Sequence, residues 1–169
     1  MKITRIQTFL MQAGAPEDRA WASDKAGVQN SSRNWLFVKV HTDEGVYGVG
    51  ECSGWPRVIE AAVRDLAEVL VGEDPQHIEK LWQKMMVAQM AHGVTGVVGA
   101  GAMAGIDMAL WDIKGKVLGA PVWSLLGGQV RDRIRIYSHA SSPEVAVELK
   151  ARGIMAVKTG PVLDRKSVV

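Results

Sequence analysis

Apolar residues recur at helical spacing between residues 102 and 127, and the rest of the chain is organised around this stretch. The apolar face consists of Ile106, Ala109, Leu110, Ile113 and Val117, which follow the i, i+3, i+4, i+7 pattern of a helix with one buried side. Gly119 is typical of the left-handed residue that ends a helix, and Pro121 prevents its continuation. The pattern predicts a buried, sharply ended helix and then a short turn over residues 122–126.

Small residues crowd the beginning of this predicted helix. They are Gly99, Ala100, Gly101, Ala102, Ala104 and Gly105. Small side chains allow a second backbone to come close, as tight helix packing requires. Gly48 and Gly50, in a predicted strand, are likewise positions where another backbone can approach. The sequence therefore predicts close packing at both places.

The sequence predicts three strands, over residues 3–11, 35–42 and 46–51. The first is rich in β-branched and apolar residues, the second alternates apolar and polar residues, and the third returns as its partner. The last two are joined by a hairpin turn at Asp43, Glu44 and Gly45. The strands form an antiparallel meander. Residues 12–34 are polar and aperiodic, which predicts a long loop, and loops of that length inside a compact domain are usually functional or disordered.

Two further helices and a βαβ unit complete the predicted elements. The helices have apolar faces made of Ile59, Ala62, Val63, Leu66 and Leu70, and of Ile78, Leu81, Trp82 and Met85. Residues 133–137 and 154–158 are predicted strands, and a helix that begins at Ser142 and Pro143 lies between them. A two-stranded parallel unit has open edges, so we expect this part of the chain to associate.

Composition excludes several classes of protein. The chain has 169 residues, 47% of them hydrophobic, and a net charge of +2 with scattered basic residues, which does not indicate a nucleic-acid surface. Cys52 is the only cysteine, so an internal disulfide and a multi-cysteine metal site are both excluded. No signal peptide or membrane-spanning run is apparent, and we expect a cytoplasmic protein. Dinucleotide, P-loop, zinc-protease and serine-hydrolase motifs are absent.

Three residues stand in positions typical of ligand contacts. Trp21 lies in the long loop, where it either packs the loop down or faces a ligand. Trp55 follows the third strand, where binding residues often lie. His92 occurs in a glycine-rich turn, either as a structural residue or as a ligand contact. Glu51, at the end of the same strand as Trp55, is interpreted as a structural carboxylate.

The central stretch resembles the signature of the mandelate racemase/muconate lactonizing branch of the enolase superfamily. The positions that carry the resemblance are Ala102, Ala104, Gly105, Ile106, Asp107, Ala109, Leu110, Asp112, Ile113, Gly115, Lys116, Pro121, Val122, Leu125, Leu126 and Gly127. Residues 36–51 look like the hairpin of the N-terminal capping domain of that family. Residues 130–139 look like its first barrel strand. The resemblance covers the chain from residue 1 to about residue 161.

The resemblance implies an α+β capping domain over residues 1–132, made of the three-stranded antiparallel meander and a helical bundle. Residues 133–169 would then form the first βαβ unit of an incomplete (β/α) barrel of the TIM type. A whole barrel needs roughly 250 residues, so the barrel part is expected to be truncated. A truncated gene product, an expressed fragment and the ordered part of a longer protein are all compatible with the sequence.

The resemblance also implies chemistry. Family members remove the proton α to a carboxylate, and Mg²⁺ stabilises the enolate. Lys158 matches the first lysine of the Lys-x-Lys motif at the end of the second barrel strand, whose role is to polarise the carboxylate. Gly160 stands where the second lysine would act as base. The carboxylates that bind Mg²⁺ lie on later strands, so no metal ligand is assigned here.

We therefore expect the N-terminal part of a Mg²⁺-dependent enzyme that acts on a small carboxylate or sugar acid, foremost an acid-sugar dehydratase. Lys158 is the candidate catalytic residue, a solvated or structural lysine being the alternative. Trp21, Trp55 and His92 are candidate substrate contacts. The alternatives are a non-catalytic capping module, and a racemase, epimerase or cycloisomerase of the same superfamily. We expect the chain alone to be inactive, to bind neither nucleic acid nor membrane, and to form a homo-oligomer or associate through its open barrel edge.

Overall fold

A computed structural model describes residues 1–13, 33–91, 93 and 96–159. The chain divides into two compact units, Met1–Gly128 and Gln129–Val169. The domain boundary expected between residues 132 and 133 stays a prediction. In the described part of the chain, no helix has both the length and the apolar character that crossing a bilayer requires.

The first unit contains a three-stranded antiparallel sheet of order β1-β2-β3. The strands are β1 (Ile3–Ala13), β2 (Arg33–Thr42) and β3 (Tyr47–Cys52). Gly45, with φ of 78°, turns the chain between β2 and β3. The predicted meander is confirmed, and each strand extends one or two residues past a predicted end.

Two helices, α1 (Pro56–Leu70) and α3 (Val97–Leu118), cover one face of this sheet. Helix α2 (Ile78–Ala91) packs against both of them, and the short α4 (Val122–Leu125) follows α3. The five predicted apolar residues of α1 are all buried. The sheet contributes Ile3, Leu36, Val38, Val40 and Cys52 to the same core. The residues of the strands and of α1 that face the core are therefore those that the sequence pattern predicts.

Helix α3 is the central helix of the first unit. Four residues of its predicted face are fully buried: Ile106, Ala109, Leu110 and Ile113. Val117 is predicted with them but is 38% exposed, because it is the penultimate residue of the helix, where the last turn, residues 116–118, is exposed. Gly119 ends the helix at φ of 61°, in the left-handed conformation that the sequence predicts.

The second unit contains one βαβ arrangement. Strands β4 (Ser138–His139) and β5 (Val157–Lys158) pair in parallel, and α5 (Pro143–Ala151) connects them. The Ser142 hydroxyl caps α5 by accepting a hydrogen bond from the Val145 amide at 3.4 Å. The parallel pair fits the beginning of a barrel, as expected.

The strands of this unit are shorter than predicted. Residues 133–137 and 154–156 have no strand pairing, and Ile134 and Ile136 are 79% and 63% exposed. Alternation of apolar residues predicts a strand because such a strand normally buries one face. Among the described residues of this unit, nothing covers that face, so the alternation alone does not form a longer strand.

Candidate functional site

Strand β3 and helix α3 approach so closely that only glycine fits at their contact. A Cβ atom at Gly48 would overlap the carbonyl oxygen of Ala109, and one at Gly50 would overlap the carbonyl oxygen of Gly105. A Cβ at Gly105 would in turn overlap the sulfur of Cys52. The predicted close approach of another backbone to Gly48 and Gly50 is confirmed. That backbone belongs to the helix that begins with the small residues, so the two predicted regions of close packing form one contact.

Helix α3 also covers the free edge of β3. The Val49 amide donates to Asp112 Oδ2 at 2.9 Å, and Lys116 Nζ donates to the Tyr47 carbonyl oxygen at 2.7 Å. Asp112 and Lys116 pair with each other at 2.6 Å. An edge strand presents N–H and C=O groups without partners, and these bonds supply them. The signal in the sequence was the i, i+4 spacing of Asp112 and Lys116, which predicts an ion pair but not its contact with the strand.

The loop after β3 holds Trp55, one of the predicted substrate contacts. A Cβ atom at Gly101 would overlap the carbonyl oxygen of Ser53, so α3 lies directly against the loop backbone. The Trp55 carbonyl oxygen accepts from the Ile59 amide at 2.9 Å, which starts α1. The indole itself is 54% exposed. The loop backbone is thus held from two sides, while the Trp55 side chain is available to a ligand.

Cys52 is not a reactive thiol. It is buried, and burial raises the pKa of the thiol to about 12, with a smaller contribution from the charge of Glu51. Only the thiolate is an effective nucleophile or metal ligand. Cys52 therefore acts as a small apolar residue beneath Gly105.

An open groove of about 430 Å³ lies beside the beginning of α2. It is lined by residues 76–80 and by Trp111 and Lys114 of α3. None of these residues is among the predicted site residues. Lys114 Nζ lies 5.3 Å from the centre of the Trp111 ring, within the range of a cation–π contact.

Lys158 ends strand β5, and its side chain is exposed. The parallel register places His139, the last residue of β4, directly opposite it. Neighbouring strands lie about 4.8 Å apart, and opposed residues project from the same face of the sheet. The sequence interpretation missed His139 because this neighbour depends on the register of the pair. The available signal was its position at a strand end, three residues before the Ser142 cap.

The remaining predicted residues are not described by the structure. Trp21 and His92 lie outside the described residues, and so does Gly160, which follows Thr159 in sequence. Trp55 belongs to the first unit and Lys158 to the second. Of the four predicted site residues, the structure thus describes only these two.

The described residues do not contain a set of metal donors. Within ranges 1–13, 33–91 and 96–159, no group of three or more His, Cys, Asp or Glu side chains is arranged to hold a metal ion. Mg²⁺ prefers near-octahedral oxygen coordination with one or two carboxylates. The described part of this chain does not fit Mg²⁺, and no chemical step is derived through it.

Comparison with known proteins identifies the family. Residues 18–127 match the model of the mandelate racemase/muconate lactonizing enzyme N-terminal domain. This match covers strands β2 and β3, the helices of the first unit and the signature over residues 102–127. The chain therefore belongs to the mandelate racemase/muconate lactonizing enzyme family of the enolase superfamily, and it represents the N-terminal part.

Solved structures support the same conclusion. The chain is similar to the 3,6-anhydro-D-galactonate cycloisomerase of Zobellia galactanivorans, with 32% identity, a TM-score of 0.77 and 94% of this chain covered. A candidate isomerase of Sinorhizobium meliloti matches with 30% identity and a TM-score of 0.79 over 94% of this chain. A candidate galactarate dehydratase of Agrobacterium radiobacter, with sodium and L-malate bound, has 29% identity and a TM-score of 0.73 over 95%. The chain spans 42%, 46% and 38% of the lengths of these three structures, respectively.

Proposed function

We propose that this chain is the N-terminal part of an enzyme that removes the proton α to a carboxylate, and that the reaction is the dehydration of an acid sugar. The observation that carries the proposal is Lys158, an exposed lysine at the carboxyl end of a strand in a parallel pair. Barrel enzymes place their catalytic groups at such strand ends. Two of the similar structures are named for sugar acids, an anhydrogalactonate and a galactarate, which supports this substrate class.

The role proposed for Lys158 is electrostatic. Removal of the α-proton leaves negative charge on the carboxylate oxygens, and an ammonium group beside them stabilises that charge as it develops. The electron pair of the broken C–H bond forms a C=C bond, and the β-hydroxyl leaves with a proton as water. Gly160, which follows two residues later, has no side chain that transfers a proton. Lys158 is therefore proposed as the polarising group, and the base is not assigned to residue 160.

The complete enzyme is proposed to use Mg²⁺ to stabilise the enolate, as the superfamily does. In the proposal the ligands of that ion lie outside the described residues of this chain. Trp55, Trp21 and His92 are proposed as contacts that select the sugar. For Trp55 the support is its exposed ring on a loop whose backbone is fixed.

The test is an activity screen of the natural protein, expressed from its gene to the stop codon. Acid sugars are supplied with Mg²⁺, and formation of 2-keto-3-deoxy acids is followed. We expect turnover of at least one sugar acid, and a loss of about a hundredfold or more for Lys158→Met, since removing one stabiliser of an oxyanion costs that much. Lys150→Met, at an exposed lysine on α5, is the matched control and should retain activity. Equal activity of both variants would contradict the role of Lys158.

The same screen separates the other reactions. Incubation in D₂O that exchanges the α-hydrogen without loss of water would indicate a racemase or epimerase, and an isomeric product of unchanged mass would indicate a cycloisomerase. The cycloisomerase is the second candidate, because one of the similar structures has that activity in its name.

A non-catalytic capping module is the alternative from another class. It is favoured by the first unit, whose core residues come from its own strands and helices. The module predicts no turnover by the natural protein with any sugar acid. The 169-residue chain alone is predicted to be inactive under either hypothesis, so the natural protein decides between them.

A further inference from the structure

The two edges of the sheet in the first unit differ in how they are covered. Side chains of α3 bond to the backbone of β3, whereas β1 is held from outside at its first residue. There, Ile3 N–H donates to the Glu73 carbonyl oxygen, and the Ile3 carbonyl oxygen accepts from Gly72 N–H, each at 2.8 Å. The rest of β1 therefore forms the edge whose covering has to be explained.

The backbone groups that β1 presents at this edge follow from the strand register. Thr42 N–H donates to the Val46 carbonyl oxygen, so even-numbered residues of β2 face β3 and odd-numbered residues face β1. The register opposes Phe9 to Phe37, so odd-numbered residues of β1 bond to β2 and even-numbered residues point away from the sheet. The outward-pointing residues are Ile6, Thr8 and Leu10. Within the described part of the chain, their backbone groups have no partner.

The same stretch exposes three consecutive large apolar side chains. Phe9, Leu10 and Met11 are 38%, 38% and 52% exposed. Residues 6–13 contain no charged residue and no proline, which are common means of protecting an edge strand from pairing. A long, uncharged, apolar edge of this kind is a template for pairing with another strand.

We propose that a second copy of this chain occupies this edge, with β1 antiparallel to the second copy's β1 and with Phe9 opposite the second copy's Phe9. An antiparallel pair of identical strands is isologous, so one sequence supplies both halves of the interface. In this register Thr8 of each copy lies opposite Leu10 of the other, and each such pair exchanges two N–H···O=C bonds. The sheets of the two copies become one continuous sheet.

Burial and charge favour the register centred on Phe9. The two Phe9 residues form a non-hydrogen-bonded pair, in which side chains are closest, and aromatic cross-strand pairs stabilise a sheet. Arg5 is the charged residue nearest to this centre in β1, and the register opposes it to the second copy's Ala13. The two Arg5 residues then lie roughly 27 Å apart along the strands, so self-pairing brings no like charges together.

Cysteine cross-linking of the 169-residue chain tests the proposal. Phe9→Cys places two thiols at a pair whose Cα atoms are about 4.5 Å apart, within the range of a disulfide. Cys52, the only natural cysteine, does not compete, because it is buried and burial raises its thiol pKa to about 12. With copper phenanthroline as oxidant, we expect a covalent dimer.

The matched control is Met11→Cys, on the same face of the same strand and more exposed than Phe9. In the proposed register the two residues at position 11 lie about 14 Å apart, too far for a disulfide. Phe9→Cys should therefore cross-link at least about tenfold faster than Met11→Cys. Equal rates, or no dimer from Phe9→Cys, would overturn the proposal.

Two substitutions at Leu10 test whether the edge itself pairs, each made in the Phe9→Cys background. Leu10→Pro removes an outward N–H without removing a bond to β2, and Leu10→Lys places a charge at the edge without changing the backbone. Each should slow cross-linking at least about tenfold, the equivalent of about 1.4 kcal/mol. Val49→Lys, at an exposed residue of the covered strand β3, should not slow it. Undiminished cross-linking in Leu10→Lys would contradict the proposal, whether or not Leu10→Pro retains its circular dichroism spectrum.

The same variants separate this interface from other ways of covering the edge. Association through the strands of the second unit would give Phe9→Cys no advantage over Met11→Cys. In the natural protein, a monomer whose Thr8 and Leu10 amides resist hydrogen exchange at every concentration would mean that another segment of the same chain occupies the edge. Either result would overturn the proposal, and neither depends on catalytic turnover.

Discussion

The two units differ in how they combine packing with exposed functional groups. The first unit buries a core drawn from three strands and three helices, and its sheet touches α3 backbone against backbone. In the second unit, the buried hydrophobic residues among those described are Ala140 and Leu149. Yet the second unit carries Lys158 and His139. The first unit is a well-packed frame. The second unit holds its candidate reactive groups on two short strands with few buried residues.

The difference follows from what each element can bury. Helix α3 is apolar around most of its circumference and contacts strands and helices on several sides. Helix α5 buries only Leu149, and the two strands beside it are two residues long. Stability is distributed unevenly within proteins, and regions with few buried contacts open first. Substitutions in each unit therefore show how much of its stability comes from buried contacts.

The largest effect is expected where backbones touch. Gly50→Ala would place a methyl group on the Gly105 carbonyl oxygen, and neither backbone can yield without moving α3 away from the sheet. We expect a loss of about 3 kcal/mol or more in the free energy of unfolding, the upper range for overpacking. Urea denaturation followed by circular dichroism measures it.

The matched control is Glu51→Ala, at the next residue of β3, where the side chain is exposed. It should change stability by less than about 0.5 kcal/mol, as is usual for surface substitutions. If both variants lost the same free energy of unfolding, the close contact between β3 and α3 would not be the reason that position 50 requires glycine.

The second unit should respond locally. Leu149→Ala removes one of its two buried hydrophobic residues, with an expected cost of about 2 kcal/mol, the low end for core leucines. Because little else stabilises this unit, we expect its helix to open. Faster hydrogen exchange at the Ile154 amide, which donates to the Leu149 carbonyl oxygen at 3.0 Å, measures this.

The unfolding midpoint of the first unit should not move in Leu149→Ala. Val147→Ala, at an exposed position of the same helix, serves as the control for helix propensity. If Leu149→Ala lowered the unfolding midpoints of both units together, the two units would fold as one and would not differ in stability.

A smaller effect is expected at the covered edge of β3. Asp112→Ala removes the acceptor of the Val49 amide and the partner of Lys116, and should cost about 1–2 kcal/mol. Asp112→Asn keeps an acceptor oxygen but not the charge, so it should cost less. Chemical denaturation of both variants measures the difference, and equal costs would mean that the ion pair, not the strand bond, is the important contact.

The smallest effect is expected at a pH-dependent ion pair between elements of the first unit. Glu73 pairs with Lys84 at 2.7 Å and with Lys80 at 3.0 Å. Hydrogen bonds from these two lysines lower the pKa of Glu73 to about 2, from a usual value of 4.5. A lowered folded-state pKa contributes stability above the unfolded value, and that stability is lost as pH falls toward the folded value.

Glu73→Gln should therefore lower the melting temperature slightly at pH 7, and the difference from the wild type should vanish between about pH 4.5 and pH 2. Glu68→Gln, at an exposed glutamate of α1, is the control. A difference that persists unchanged at pH 2 would mean that the lysine contacts do not stabilise the ionised form.

The sequence predicted the first unit well because its signals are local and agree with one another. Alternation placed Leu36, Val38 and Val40 inside, and helical spacing did the same for α1 and for most of α3. Gly48 and Gly50 indicated a close approach. The backbone that approaches them belongs to α3, at Ala109 and Gly105. This partner depends on tertiary packing, and no local sequence pattern predicts it.

The second unit and the site were less predictable. The alternation in residues 133–137 indicated a strand, but a strand needs a surface on which to bury its apolar face. Lys158 came from family resemblance, and its role stays a prediction. His139 depends on the pairing of two strands that are separated by a helix, so only the register revealed it. Trp21 and His92 stay predictions outside the described residues.

Native-state hydrogen exchange tests the central contrast most directly, because it measures both units in one experiment. The amides of Val38 and Val40, in the middle of β2, are expected to exchange at least about a hundredfold more slowly than those of Ser138 and Ala140, a difference of about 2.7 kcal/mol. Equal protection at the four amides would contradict the account, since the strands that hold His139 and Lys158 would then be as stable as the frame.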